Sequence, residues 1–486
     1  PAFTWRPDAD TALTLLTHYR RNEGKDFNNY LPLEGTKYPS PYGKIPRERY
    51  TGEPDFDRND TEQYGLGYAF DKRFNEVLSF SSNFRYFHND IDYRALLFPE
   101  PIAGTPLVDR TFYNLQETQE AYTADNRVHV RFDTGPLSHK ITAGIDYRHQ
   151  TNANGSGYYS PWDGFSAPLD IFNPVYGLTP IPNLPNNYTA DRTLERVGYY
   201  IQDQIAVGGW RLSLGARHDD AETREIFDGP YGLSDNATDS SAETYNVGLL
   251  YLFENGFAPY ASYAESFVPL IGAGLNGVFE PKTGNQYEIG FKYQPPGSAS
   301  FLSMALFDLT EQNRVTSTDI IDPSTGWFYQ AQIGEVRIKG VEIEGKANIG
   351  NWDLLAAYTY LDSEITKSGD GDQGNEVDDV PNHMASLWVN YRFAAGSVAH
   401  GFNVGGGVRY VSTFWGDTGN TIGNESTTLF DLAAGYDFGA YDHALNGISL
   451  DLNVTNVADD DTLSCDVGGC IYGRGRTYIA TLKYAW

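Results

Sequence analysis

The sequence predicts an all-β protein, a transmembrane antiparallel β-barrel of the outer-membrane kind. Three observations predict it. Strand-length segments alternate large apolar with small or polar residues along the whole chain, as a strand between lipid and a wet lumen must. The connections between these segments alternate short and long, the asymmetry of a barrel with tight turns on one side and long loops outside. The apolar runs are only a few residues long, so no segment reads as a membrane helix. A mean hydropathy of -0.45 fits a barrel, because only every second residue of each strand meets lipid.

Composition narrows the classes. A chain of 486 residues has room for two or three soluble domains. It shows no linker, no low-complexity tract and no change of texture, so one barrel domain over residues 1–486 is expected. Aromatics reach 14%, with 35 tyrosines, alongside 50 glycines. A net charge of -29 argues against nucleic acid, whose phosphates would be repelled, and against a polybasic membrane-surface protein. Cys465 and Cys470 permit one local bridge and hence an oxidising compartment. With neither an initiator Met nor a signal peptide, the first residue does not read as a translation start.

The last stretch, Arg476 to Trp486, shows the pattern most clearly. Tyr478, Ala480, Leu482, Tyr484 and Trp486 share one face; Thr477, Ile479, Thr481, Lys483 and Ala485 share the other. From the start of the chain, Pro1 to Arg6 reads as a strand, Pro7 to Asp10 as a tight turn and Thr11 to Arg20 as the next strand. A long insertion is expected from about Asn22 to Thr61. Glu62 to Phe70 sets Tyr64, Leu66, Tyr68 and Phe70 against Gly65, Gly67 and Ala69. A turn at Asp71-Lys72 then leads into Val77 to Phe87. A long segment to about Leu115 precedes a strand to Phe132, a turn at Gly135-Pro136 and a strand over Ile141 to His149. Gln150 to Asp191 reads as a long insertion rich in Gly, Pro, Asn and Tyr.

The second half repeats the scheme. Val197, Tyr199, Ile201, Ile205 and Val207 share a face, Gly208-Gly209 turns the chain, and Leu212, Leu214 and Ala216 return. After a long loop from Asp219 to Ala242, Tyr245 to Phe253 alternates and Glu254-Asn255-Gly256 supplies an Asn-Gly hairpin turn. Short turns are expected at Pro295 to Gly297, Gly350-Asn351, Ala394 to Ser397 and Gly439 to Asn446. Long loops are expected at about 266–283, 311–326, 364–381, 412–427 and 457–472. The count comes to about nineteen strands, each of about eleven residues and spanning ~25 Å when tilted.

Parity and size add two expectations. The first and last strands both run from the long-loop side to the short-turn side. Bacterial barrels close antiparallel with an even count, so an odd number of N-terminal strands is expected to be missing. A barrel of about twenty strands encloses a lumen too wide for side chains to fill; such barrels are plugged transporters, and a plug is expected upstream of this chain.

Several stretches then resemble the barrel of TonB-dependent siderophore receptors, closest to the ferrichrome-type branch. They are PAFTWRPD (1–8), YLPLEGT (30–36), YYIQDQ (199–204), PYASYAESFVP (259–269), NQYEIGFKY (285–293), RIKGVEIEGKA (337–347), VPNHMASLW (380–388), LNVTNVAD (452–459) and the C-terminal strand. The resemblance implies a barrel of about 22 strands with an N-terminal plug, and puts Pro1 in about the fourth strand. It implies an outer-membrane receptor that captures a ferric siderophore, most closely a hydroxamate, and imports it with energy from the TonB complex. The partners implied are the ferric siderophore, the TonB complex acting through the missing N-terminal part, and outer-membrane lipid. No cofactor is expected, because the iron arrives already chelated.

The family's ligand sites are lined by loop and upper-wall aromatics, which implies Tyr30, Tyr158, Tyr159 and the nearby Trp162 as ligand-binding residues. Tyr30 stands where the ferrichrome receptor has a ligand-contacting Trp. The same tyrosines equally fit an aromatic girdle or loop packing. Cys465 and Cys470 match a family disulfide in the last long loop, with Asp466 replacing the aromatic after the first Cys; a ferric siderophore other than ferrichrome thus stays open.

The remaining constellations read as structural. Asp370, Asp372, Glu376, Asp378 and Asp379 lack EF-hand spacing and read as a solvated loop. The nine histidines are scattered, without H-E-x-x-H or a Cys/His cluster, and neither G-x-S-x-G nor a phosphate-binding loop occurs, so no enzyme is expected. Glu288 with Lys292, and Glu342 and Glu344 with Lys346, read as polar lumen wall, and Gly405 to Gly407 as close packing or a bulge. Two other function classes remain open: import of another TonB substrate, or a surface barrel for adhesion or phage attachment. A soluble lectin-like protein is disfavoured by the large apolar faces, such as Tyr287, Ile289, Phe291 and Tyr293.

Overall fold

Period-two sequences leave one arrangement open to them in a bilayer: every backbone N–H and C=O must be paired to a neighbouring strand. The computed structural model describes residues 1–486 apart from 26–28, 162–163, 231, 276, 322–327, 370 and 486. Among the described residues a single 20-stranded sheet forms, with neighbours in chain order paired antiparallel.

The sheet begins with β1 (Ala2–Asp8), β2 (Thr11–Asn22), β3 (Arg58–Arg73) and β4 (Leu78–Pro101). It continues through β5 (Leu107–Thr134) and β6 (Leu137–Tyr159), with the two-residue β7 (Leu169–Asp170) adding to β5. Then come β8 (Tyr188–Val207), β9 (Trp210–Gly229), β10 (Gly232–Tyr251) and β11 (Phe257–Val268). A small ladder of β12 (Ala273–Gly274) and β13 (Gly277–Val278) lies in the next loop. The sheet resumes with β14 (Lys282–Tyr293), β15 (Phe301–Ile321), β16 (Phe328–Ile349), β17 (Trp352–Lys367), β18 (His383–Arg392) and β19 (Phe402–Val411). A second loop ladder joins β20 (Phe414–Trp415) to β21 (Gly423–Asn424). The chain finishes with β22 (Thr427–Asp437), β23 (Ile448–Thr455), the loop hairpin β24 (Leu463–Asp466) and β25 (Gly469–Tyr472), and β26 (Thr477–Tyr484). Among the described residues no pairing joins β1 to β26.

The register sorts side chains onto two faces. Leu15, Tyr68 and Phe84 are cross-strand partners in one row, Val247, Tyr263 and Tyr287 in another, Leu432, Val454 and Tyr478 in a third. These rows form the outer apolar face; Leu66, Leu432 and Leu482 keep 57%, 52% and 72% of their surface open, which suits lipid and not a soluble core. Tyrosines mark its loop-side rim: Tyr64, Tyr86 and Tyr122 lie ring to ring at 6.1 and 4.9 Å. Their neighbours above are polar, so Tyr86 donates to Glu120 at 2.7 Å and Tyr147 to Glu195 at 3.1 Å. Such amphipathic rings belong at a membrane–water interface.

The structure corrects several expected boundaries. The turn after β3 lies at residues 74–77, not at Asp71-Lys72; Lys72 and Arg73 still pair with Phe80 and Ser79. Asn75 makes that turn, accepting from the N–H groups of Val77 and Leu78 at 2.9 Å. The long segment expected before Leu115 is strand: β4 and β5 stay paired up to Pro101 and Val108. The loop expected from Asp219 to Ala242 is likewise a hairpin, in register from Trp210↔Tyr251 to Gly229↔Gly232. β15 and β16 extend the same way into the expected loop at 311–326, of which 322–327 lie outside the described residues. Above the bilayer both faces of a hairpin are wet, so the apolar alternation stops while the ladder continues; Arg224 grips Asp235 there at 2.8 and 2.6 Å. Gly405 to Gly407 carry no bulge, since β18 and β19 stay in register; a Cβ on Gly405 or Gly407 would fall 2.7 or 2.5 Å from the Trp388 indole, which lies across both.

The two-face arrangement predicts a sharp contrast between neighbours. Leu452→Arg, on the outer face, is expected to cost about 2–4 kcal/mol. Asn453→Arg, on the lumen face, should cost under about 1 kcal/mol. Urea unfolding of the protein refolded into lipid vesicles measures both.

Candidate functional site

On the loop side the lumen wall and the long loops enclose a cavity of about 2010 Å³. Its aromatic wall comes from the membrane-distal ends of the strands. Tyr93 on β4, Tyr113 on β5, Tyr158 on β6, Tyr188 on β8 and Phe227 on β9 all line it. The pleat puts all of them there: each lies an odd number of residues from an outer-face residue of its own strand. Tyr93 and Tyr113 meet edge to face at 5.9 Å. Tyr158 and Tyr188 stack at 5.1 Å and their hydroxyls hydrogen-bond at 2.9 Å, while Phe227 lies 6.1 Å beyond Tyr188.

Tyr30 reaches the cavity from the loop between β2 and β3. Its neighbour Leu31 is fully buried and exchanges backbone hydrogen bonds with Cys470 at 2.8 and 2.7 Å. Cys470 is disulfide-bonded to Cys465, its cross-strand partner in the β24–β25 hairpin. The disulfide hairpin therefore fixes where Tyr30 points, and the Tyr30 hydroxyl donates to Asp466 at 3.3 Å. Burial first, then the charges of Asp466 and Asp379, raise the Tyr30 phenol above its ordinary range. The Asp379 carboxyl is raised too, by burial and by the nearby Asp378 and Asp466.

The expected site residues thus separate. Tyr30 and Tyr158 line one cavity. Tyr159 does not: Tyr158 and Tyr159 end strand β6, not a loop, and consecutive strand residues face opposite ways. Tyr159 stacks on Phe165 at 4.1 Å and packs against the cluster of Phe56, Leu96, Phe112 and Ala167. Trp162 lies outside the described residues. The acidic stretch is not simply a solvated loop: Asp372 is buried, and Asp378 and Asp379 line the cavity. Asp370 lies outside the described residues. Among the described residues no group of three or more His, Cys, Asp or Glu is placed to hold a metal ion.

Sequence reasoning missed Tyr93, Tyr113, Tyr188 and Phe227; continuing the period of two beyond the apolar band would have found them. It also missed Arg110, which has no exposed surface at all. Its guanidinium donates to the carbonyls of Ala167 at 2.9 Å and Thr51 at 2.8 Å, to Glu53 at 3.1 Å and to Thr179 at 3.0 Å. Arg110 so ties the β2–β3 loop and the β6–β8 loop to β5. Glu53, almost as buried, also accepts from the Gly177 N–H and the Thr179 hydroxyl, both at 2.9 Å.

Removing one partner of a buried ion pair strands the other. Arg110→Ala is expected to destabilise this end of the protein by about 3–5 kcal/mol, and adding Glu53→Gln should recover part of that loss. Amide hydrogen exchange should show the change at residues 51–53 and 167–179 first.

Three comparisons place the chain among known proteins. A family model described as TonB dependent receptor-like, beta-barrel, matches residues 4–457. The ferrioxamine B receptor of Salmonella typhimurium is 34% identical over 491 residues, an alignment covering 100% of this chain and 67% of the relative. The ferrichrome outer membrane transporter/phage receptor of Escherichia coli is 31% identical, with 100% and 66% covered. The crystal structure of the siderophore receptor PiuA from Acinetobacter baumannii superposes with a TM-score of 0.86 at 23% identity, covering 100% of this chain and 73% of that one. The chain thus spans about two thirds of the length of these curated relatives.

Proposed function

The chain belongs to the TonB-dependent receptor family, whose barrels lie in the Gram-negative outer membrane, and we propose that it captures a ferric siderophore of the hydroxamate type outside the cell and imports it with energy from the TonB complex. The observation that carries this reading is the aromatic-walled cavity on the loop side. At about 2010 Å³ it exceeds the roughly 300–1,000 Å³ of drug-sized ligand pockets, and it suits a bulky chelate. A chelate whose iron is fully coordinated needs no protein metal ligand and no resident cofactor. It needs flat apolar surface for its carbon backbone and a few polar groups to set its orientation. The row from Tyr93 to Phe227 offers the first, and the hydroxyls of Tyr30 and Tyr158 the second. The relatives named as receptors for ferrioxamine B and ferrichrome support the hydroxamate class.

Calorimetric titration of the protein in detergent with ferric hydroxamate, catecholate and carboxylate chelates tests this. Tight binding of a hydroxamate is expected. Tyr158→Ala and Tyr30→Ala should each weaken it about tenfold, the usual scale for truncating a buried aromatic anchor. Tyr159→Ala should leave affinity unchanged. Preference for a catecholate, or indifference to Tyr30 and Tyr158, would overturn the ligand class or the site. In iron-limited cells, growth on the bound chelate should require both this receptor and the TonB complex.

A further inference from the structure

The cavity is unevenly charged. Carboxylates line it from several elements: Glu100 from β4, Asp379 from the β17–β18 loop, Asp417 from the β19–β22 loop and Asp466 from the disulfide hairpin. Among the described residues none of these four has an ion-pair partner. Asp378 has only a distant one, Arg314 at 3.9 Å. The one cationic side chain in the lining, Arg192, is held by Glu225 at 2.5 Å and offers no free charge. The net charge of -29 on the chain gives no counter-field. Mutual crowding is already felt, since Asp378 and Asp466 both hold the Asp379 carboxyl up.

Such a cavity acts on the charge of what enters it, because like charges brought together cost affinity and unlike charges gain it. A ferric ion held by three singly charged hydroxamates is neutral, so the net charge of the chelate is set by whatever its ends carry. A ferric ion held by three catecholates stays strongly anionic. We propose that the cavity selects by charge, and that its ligand is a ferric hydroxamate bearing an appended ammonium group, drawn to the side formed by Asp379 and Asp466. This rests on the receptor reading above and narrows it to one substrate class. The aromatic row holds the neutral core, and the carboxylates across the cavity take the ammonium end. Asp466, standing where the resembling receptors carry an aromatic, supplies one of those charges beside Tyr30.

The test uses one linear trihydroxamate in three forms, with its terminal amine free, acetylated or succinylated, each loaded with iron. Binding to the protein in detergent is measured at low and high salt. The free amine should bind about tenfold tighter than the acetylated form and the succinylated form weakest, with the gaps shrinking as salt screens the field. Asp379→Asn with Asp466→Asn should close most of the gap. Asp379 has a φ of 57°, a conformation asparagine adopts readily, and Asp466→Asn keeps a side-chain oxygen for the Tyr30 hydroxyl, so the fold should survive. Asp379→Lys should reverse the ranking. Equal affinities for the three forms, or a ranking indifferent to these variants, would overturn charge selection and leave the hydroxamate receptor standing. Failure of all three forms to bind would overturn both readings.

Discussion

The rest of the structure depends on the requirement that no backbone polar group be left unpaired in lipid. That requirement imposes the continuous antiparallel ladder, and the ladder imposes a period of two on the side chains. From the pleat follow the apolar outer face, the tyrosine rim above it and the polar lumen. The same pleat, carried beyond the bilayer, aims Tyr93, Tyr113, Tyr158, Tyr188 and Phe227 into one cavity. A membrane constraint thus organises a ligand site that lies outside the membrane.

The loops are held by different forces. Outside the lipid, water competes for every hydrogen bond, so a long loop keeps its shape only where something buried anchors it. Two anchors do this. Arg110, with no exposed surface, satisfies carbonyls and a carboxylate from two loops at once. The Cys465–Cys470 hairpin exchanges backbone hydrogen bonds with Leu31 and so sets the neighbouring Tyr30. Smaller buried clusters finish the packing, including Leu31, Ile45, Val108, Leu169 and Ile171, drawn from three stretches of chain. The cavity is therefore a joint product of strand ends, whose direction is fixed by register, and loops, whose position is fixed by buried polar contacts.

The electrostatics follow from that assembly. Asp378 and Asp379 are far from Asp466 in sequence, and a charge run in an exposed loop ordinarily means little more than solubility. Here the loops bring these carboxylates to one cavity wall, where burial and mutual repulsion shift the groups that titrate.

How much is legible in the sequence varies with the environment of each residue. The face assignments of Tyr64 to Phe70, Tyr245 to Phe253 and Tyr478 to Tyr484 are readable because lipid and water stand on opposite sides of those strands. The short turns at Gly135-Pro136, Gly208-Gly209 and Asn255-Gly256 are readable because their backbone geometry selects residue types. Above the bilayer the contrast between faces vanishes, so parts of β4, β5, β9 and β10 read as loops where they are strands, and Tyr158 and Tyr159 read as one group although the pleat separates them. The sequence by itself determined the all-β barrel, its two faces and its family, since these rest on local periodicity and on short motifs. Only the tertiary structure decided which aromatics share a wall, that Arg110 ties two loops to a strand, and that distant carboxylates converge, because those depend on register and on buried contacts between residues far apart in the chain.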